Sequence, residues 1–243
     1  IGLGIPAEPL FRSLVIGISI LDLNRYQHPH TEELSFRQIT KENSGLSSNN
    51  TRKIIQDSFG NIWIGNFSSG IDFIAQSTAD FYTLKNLQQP LSNTSGIYCD
   101  HQGNLWIGQD NLISQYKNGQ IFHEWDFSKY LFNTSATVYN FIEDHQGNIW
   151  FGTSDNGALE FNPHTQQFTH HLHIQGLDVH ALYEDKNRTI WIGSEDGLYT
   201  IQNGIERKEN EMNKVMGMTN NIIYSIQEDS YGQMWIGNLS KGV

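Results

Sequence analysis

Phe141-Ile142-Glu143-Asp144-His145-Gln146-Gly147-Asn148-Ile149-Trp150-Phe151-Gly152 is the clearest of five copies of one phrase. The others centre on Trp63, Trp106, Trp191 and Trp235, so the phrase returns every 41 to 44 residues. Six residues before each Trp stands an Asp: Asp57, Asp100, Asp144, Asp185 and Asp229. Two residues after it stands a Gly: Gly65, Gly108, Gly152, Gly193 and Gly237. A steady period in the forties is the mark of a repeat architecture.

Each copy reads as a β-hairpin. An apolar strand such as Lys53-Ile54-Ile55-Gln56 comes first, and Asp57-Ser58-Phe59-Gly60 supplies the turn. The Asp side chain caps backbone N–H groups there, and Gly tolerates positive φ. The second strand, Asn61-Ile62-Trp63-Ile64-Gly65, is apolar without alternation, which predicts cover on both faces. Third strands follow at Gly70–Ile74, Gly157–Phe161 and Gly197–Ile201, and weaker fourth strands contain Phe81-Tyr82, Ile121-Phe122 or Phe168. Four short strands per repeat predict an all-β fold, a β-propeller built of four-stranded antiparallel blades.

Outward from the phrase, the array divides into repeats at 43–90, 91–133, 134–176, 177–217 and a truncated 218–243, all in one domain, 1–243. Residues 1–42 read as a degenerate first repeat. Val15-Ile16-Gly17 stands where Trp-Ile-Gly is expected, and Tyr26-Gln27-His28-Pro29-His30-Thr31 parallels Phe161-Asn162-Pro163-His164-Thr165. Two turns lack their glycine: Asp110-Asn111 replaces one, and Arg188 occupies another, where Asn187 is expected to take the positive φ. The unfinished last repeat predicts a piece of a larger propeller. Further repeats of the same chain are its expected partners, together with self-association or a homodimer.

The chain carries 15 Lys and Arg against 26 Asp and Glu, a formal charge of −11. That balance argues against nucleic acid and anionic membrane as partners of this region. The apolar run Leu14–Leu21 is far too short to span a bilayer. Cys99 is the only cysteine, which excludes an internal disulfide and a multi-cysteine zinc site. No nucleophile elbow, phosphate loop or His-Glu-x-x-His is present, so neither catalytic residues nor a cofactor are predicted.

Leu46-Ser47-Ser48-Asn49, then Asp57-Ser58-Phe59-Gly60-Asn61-Ile62-Trp63-Ile64-Gly65, then Gly70-Ile71, resembles the two-component regulator propeller repeat. The resemblance is strong from residue 43 onward and weak before it. It implies seven-bladed propellers, often in tandem, in the periplasmic sensor region of membrane-bound hybrid histidine kinases. It further implies an oligosaccharide or polysaccharide fragment as ligand, with the membrane reached only through flanking segments. The alternatives are an interaction or dimerisation scaffold and, third, a propeller lyase or hydrolase.

The repeated Asp57, Trp63, Asp100, Trp106, Asp144, Trp150, Asp185, Trp191, Asp229 and Trp235 are read as structural, the Trp side chains packing between blades. Trp125, outside the register, is expected to be more exposed. His171 and His173 alternate on an outer strand and are read as solvated, with no metal site assigned. The position eleven before each Trp varies most: Arg52, Ser95, Tyr139, His180 and Tyr224. Loops entering the first strand and joining the second to the third share one face of a propeller. The predicted ligand residues lie there: Arg52, Tyr139, His180 and Tyr224, with Asn50, Asn66 and Asn221, the tyrosines stacking on sugar rings.

Overall fold

The computed structural model describes residues 18–21, 36–67, 69–77, 81–83, 94–117, 120–171, 174–210, 214 and 222–238. The chain is an all-β propeller fold, with each repeat an antiparallel meander. The second blade is β3 (Thr51–Gln56), β4 (Ile62–Asn66), β5 (Gly70–Ile74) and β6 (Phe81–Thr83). The third is β7 (Gly96–Cys99), β8 (Leu105–Gly108), β9 (Leu112–Lys117) and β10 (Gln120–Asp126). The fourth is β11 (Val138–Glu143), β12 (Ile149–Thr153), β13 (Ala158–Asn162) and β14 (Gln167–His170). The fifth is β15 (Val179–Glu184), β16 (Ile190–Ser194), β17 (Gly197–Gln202) and β18 (Ile205–Lys208). The first and sixth are two-stranded among the described residues: β1 (Ile18–Leu21) with β2 (Phe36–Ile39), and β19 (Ile223–Glu228) with β20 (Met234–Asn238). Val15-Ile16-Gly17 and residues 26–31 lie outside the described residues, as does His173. No described helix is long and apolar enough to cross a membrane.

The chain forms two compact units, residues 6–97 and residues 98–243. In the first, Ile39, Leu46 and Ile64 form the core, flanked by Ile54, Ile62 and Ile74. In the second, each seam between successive blades is filled from both sides. Trp106 packs with Val138, Phe141, Ile149 and Phe151. Trp150 packs with Val179, Leu182 and Ile192, and Ala181 and Leu198 pack with Ile223 and Ile226. Strands β8 and β12 are buried along their whole length, as non-alternating apolar sequence requires. The fourth strands β10, β14 and β18 are largely exposed.

One carboxylate organises each hairpin. Asp144 Oδ1 accepts the Gln146 and Asn148 backbone N–H groups, both at 2.9 Å. Its Oδ2 accepts Asn148 Nδ2 at 3.0 Å and the Trp150 indole Nε1–H at 2.9 Å. The indole bond recurs at Trp63, Trp106, Trp191 and Trp235, each to the Asp six residues earlier. The six-residue spacing therefore ties the turn to the seam. In the turn after β15, Arg188 itself takes φ 65°, not Asn187. Asn111 takes φ 58° in place of the missing glycine.

Two side chains are more buried than their sequence positions suggested. Trp125 is half-buried, stacked on Trp106 at 5.5 Å between ring centroids and tilted on Phe161 at 4.8 Å. His171 is 7% exposed, stacked on Trp150 at 4.6 Å, with Nδ1 3.0 Å from Glu206 of the next blade. Conversely, Trp235 is 52% exposed, because no further described blade packs on β20.

Candidate ligand-binding site

The pairing of the first two strands slips by one residue at one place in four blades. The shifts lie between Thr51 and Lys53, Val138 and Asn140, Val179 and Ala181, and Ile223 and Ser225. The extra residue of each bulge is Arg52, Tyr139, His180 or Tyr224, the same four positions singled out by their variability. A bulged residue has no partner opposite it, so its side chain is re-aimed without disturbing the ladder on either side.

In the larger unit the bulged side chains meet. Tyr139 stacks on His180 with ring centroids 5.2 Å apart and planes at 28°. His180 stacks on Tyr224 at 4.6 Å and 21°. One ring from each of three successive blades thus forms a ladder across two seams, with the imidazole sandwiched. The ladder offers ring edges along its length and an open face at Tyr224, which is 49% exposed. His180 has no free face for a sugar ring. In the smaller unit Arg52 lies over the Phe67 ring, 4.7 Å from its centroid. Ser95, the counterpart in the third blade, is buried.

Loop side chains border the ladder. Asp178 Oδ1 accepts the Asp155 N–H at 2.7 Å, and the Asp178 N–H donates to Glu195 Oε1 at 3.3 Å. Burial raises the Tyr139 phenol above its usual range, helped by the nearby Asp178 and Asp155 carboxylates and opposed by a hydrogen bond with Ser154. Burial also lowers His180, which outweighs the opposing pull of Asp178 and Glu195. The folded protein therefore holds the imidazole neutral more strongly than the unfolded chain does. With the folded value depressed, the stability from the neutral ring is present above about pH 6.5 and is lost as pH falls through the folded value. Melting temperature is expected to fall more steeply between neutral pH and pH 5 in the parent than in His180→Phe. Parallel slopes would show that this ring does not contribute.

The other predicted ligand residues divide. Asn50 is exposed, its N–H bonded to Ser48 Oγ at 2.9 Å. Asn66 is wholly buried, and its Nδ2 donates to Asp72 Oδ2 at 3.0 Å inside the second blade. Asn221 lies outside the described residues. Among the described residues no three His, Cys, Asp or Glu side chains converge as metal ligands.

Sequence reasoning missed a cavity of about 470 Å³ at the opposite end of β11 from Tyr139. It lies between the Asp-x-x-Gly turns of the third and fourth blades and is lined by residues that include His101, Gln102, His145, Gln146 and His164. The signal was present in the sequence. Asp-His-Gln-Gly-Asn occurs twice, at 100–104 and 144–148.

No curated protein sequence matches the chain significantly. In structure the chain is similar to a protein described as the extracellular domain of a hybrid two-component system from B. thetaiotaomicron, with TM-score 0.70 and 18% identity. That match covers 93% of this chain and 29% of the other, so the chain spans under a third of its length. It is also similar to virginiamycin B lyase from Staphylococcus aureus (TM-score 0.66, 15% identity, 90% and 69% covered). A third similar structure is PorZ, a surface component of the type-IX secretion system of Porphyromonas gingivalis (0.63, 14%, 94% and 36%). At these identities the likeness is one of fold. The two-component regulator propeller family matches at residues 45–68, 88–111, 133–155, 173–196 and 217–240, once per Trp phrase. With five copies of its repeat, the chain belongs to the two-component regulator propeller family.

Proposed function

We propose that this chain is part of the ligand-sensing region of a membrane-bound two-component sensor. In this reading it works in the periplasm, recognises an oligosaccharide and passes the signal to a histidine kinase elsewhere in the protein. The family membership and the fold shared with an extracellular domain of a two-component system support the sensor role. The observation that carries ligand recognition is the ladder. The repeat is uniform in its structural residues, yet at the bulge it displays Tyr139, His180 and Tyr224 side by side. The open Tyr224 face suits the C–H face of a sugar, and the phenol and imidazole edges suit its hydroxyl groups.

The test is calorimetric titration with a panel of neutral and acidic oligosaccharides. At least one is expected to bind, and Tyr224→Ala is expected to weaken it roughly 3–10-fold, the worth of an aromatic contact. Tyr224→Phe is expected to retain most of the stacking share. Binding unchanged in Tyr224→Ala would remove the ladder from the site. A protein that binds no glycan but dimerises with concentration would favour the scaffold reading, for which the exposed Trp235 and Tyr231 of the sixth blade provide surface. The likeness to a lyase is of fold alone and assigns no turnover to this chain.

A further inference from the structure

The cavity between the third and fourth blades lies at the far end of the strands from the ladder. Its chemistry is set by the duplicated His-Gln pair. His101 follows Asp100 in one turn, and His145 follows Asp144 in the next. Each is clasped by the glutamate that ends the first strand of the following blade. The His101 N–H donates to Glu143 Oε2 at 2.8 Å while its Nδ1 meets Glu143 Oε1. The His145 N–H donates to Glu184 Oε2 at 2.8 Å, and its Nδ1 lies 2.5 Å from Glu184 Oε1. In the next turn Lys186 makes the same clasp to Glu228, with Nζ 3.0 Å from Oε1, so the clasp is a repeated device and only the side chain changes.

A carboxylate only accepts, so each imidazole donates through Nδ1, which fixes the ring orientation and leaves Nε2 for a ligand. The Gln102 and Gln146 backbones are held by Asp100 and Asp144, at 3.0 and 2.9 Å. Both glutamine side chains are exposed. The lining therefore offers oriented imidazole edges together with amides that donate and accept. The Asp100 and Glu143 carboxylates are already occupied by protein donors.

We propose that this cavity is a second binding site, distinct from the ladder, for a neutral polyhydroxy ligand of about one sugar ring. A hydroxyl group both donates and accepts, and it matches imidazole Nε2 and carboxamide groups without requiring a charge. A volume near 470 Å³ falls in the range of small-ligand sites. Because the walls come from two blades, an occupant braces the seam that the His101–Glu143 clasp already spans. The proposal does not depend on the ladder as a glycan platform.

The experiment follows the imidazole ring protons of His101, His145 and His180 by NMR while D-glucose, D-galactose and myo-inositol are added in turn to the intact chain. Dioxane, which shares the six-membered ring but has no donor, is the control. At least one polyol is expected to shift His101 and His145 saturably with a Kd of about 1 mM, the affinity of a few neutral hydrogen bonds. The double variant Gln102→Leu, Gln146→Leu leaves clasps and turn backbone in place. It is expected to weaken binding about tenfold while melting at the parental temperature. Absence of saturable shifts with all three polyols overturns the proposal. So does equal binding of dioxane, undiminished affinity in the double variant, or a response confined to His180, which would put the ligand at the ladder.

Discussion

Trp150→Ala is expected to destabilise the protein by about 3–5 kcal/mol, the cost of emptying a large buried aromatic site. Trp150 is 4% exposed. It fills the seam against Val179, Leu182 and Ile192 and stacks on His171. Its indole N–H is also one of the four donors that Asp144 accepts. Trp150→Phe separates the two roles. It keeps most of the ring and removes one bond to a carboxylate, and is expected to cost about 1–3 kcal/mol. Trp235→Ala is the internal control. The same phrase and the same Asp bond are present there, but the ring is 52% exposed. Its loss is expected to cost about 1 kcal/mol, in proportion to the smaller area covered. Urea denaturation checks all three. A parental midpoint for Trp150→Ala, or equal losses at Trp150 and Trp235, would show that the seam does not hold the blades together.

The hairpins and their turns were legible because each is encoded locally and repeated. Asp, Gly and Trp at fixed separations leave little choice of register. What depended on a neighbouring blade was not legible. His171 sits after an outer strand, where solvent is the default, yet Trp150 beside it and Glu206 from the next blade enclose it. Trp125 lies outside the repeat register, but its strand brings it over Trp106. Asn66 looked like a loop amide and is instead a buried donor to Asp72, a residue with no counterpart in the other repeats. The turn at Arg188 shows where a local rule prevailed over a propensity. Asp185 Oδ1 takes the N–H groups of Asn187 and Thr189, so the residue between them must turn left-handed whatever its side chain. For the ladder, the sequence supplied the variable position but not the bulge that frees it. The ring-on-ring stacking that closes both faces of His180 appears only in three dimensions.

Gly152→Ala is expected to cost about 3 kcal/mol, at the upper end of what overpacking a close contact does. A methyl group there would lie 2.6 Å from the Val179 carbonyl oxygen, 2.7 Å from Val179 Cγ1 and 3.0 Å from Asn140 Oδ1. The nearest of these is backbone and cannot swing away. Gly152 does not have a positive φ, so the penalty is steric. A methyl group would meet the same obstruction at Gly65, 2.8 Å from the Thr94 oxygen, and at Gly108 and Gly193, 2.4 and 2.5 Å from Val138 and Ile223 side-chain atoms. The glycines two residues after Trp106, Trp150 and Trp191 therefore stand where the first strand of the next blade leaves no room for a side chain. Gly204→Ala is the comparison. Its φ is +75° with nothing within 4 Å, so only the backbone conformation resists, at about 1 kcal/mol. Beyond stability, Gly152 stands opposite Asn140, whose Nδ2 donates to the Val179 oxygen at 3.3 Å. Those two residues flank Tyr139 and His180 in sequence. Pushing the seam apart at Gly152 should part the two rings, and the His180 ring protons, shielded by the tyrosine faces, should move toward their free positions. If Gly152→Ala costs no more than Gly204→Ala and leaves the His180 signals in place, the seam yields without strain and the ladder does not depend on it.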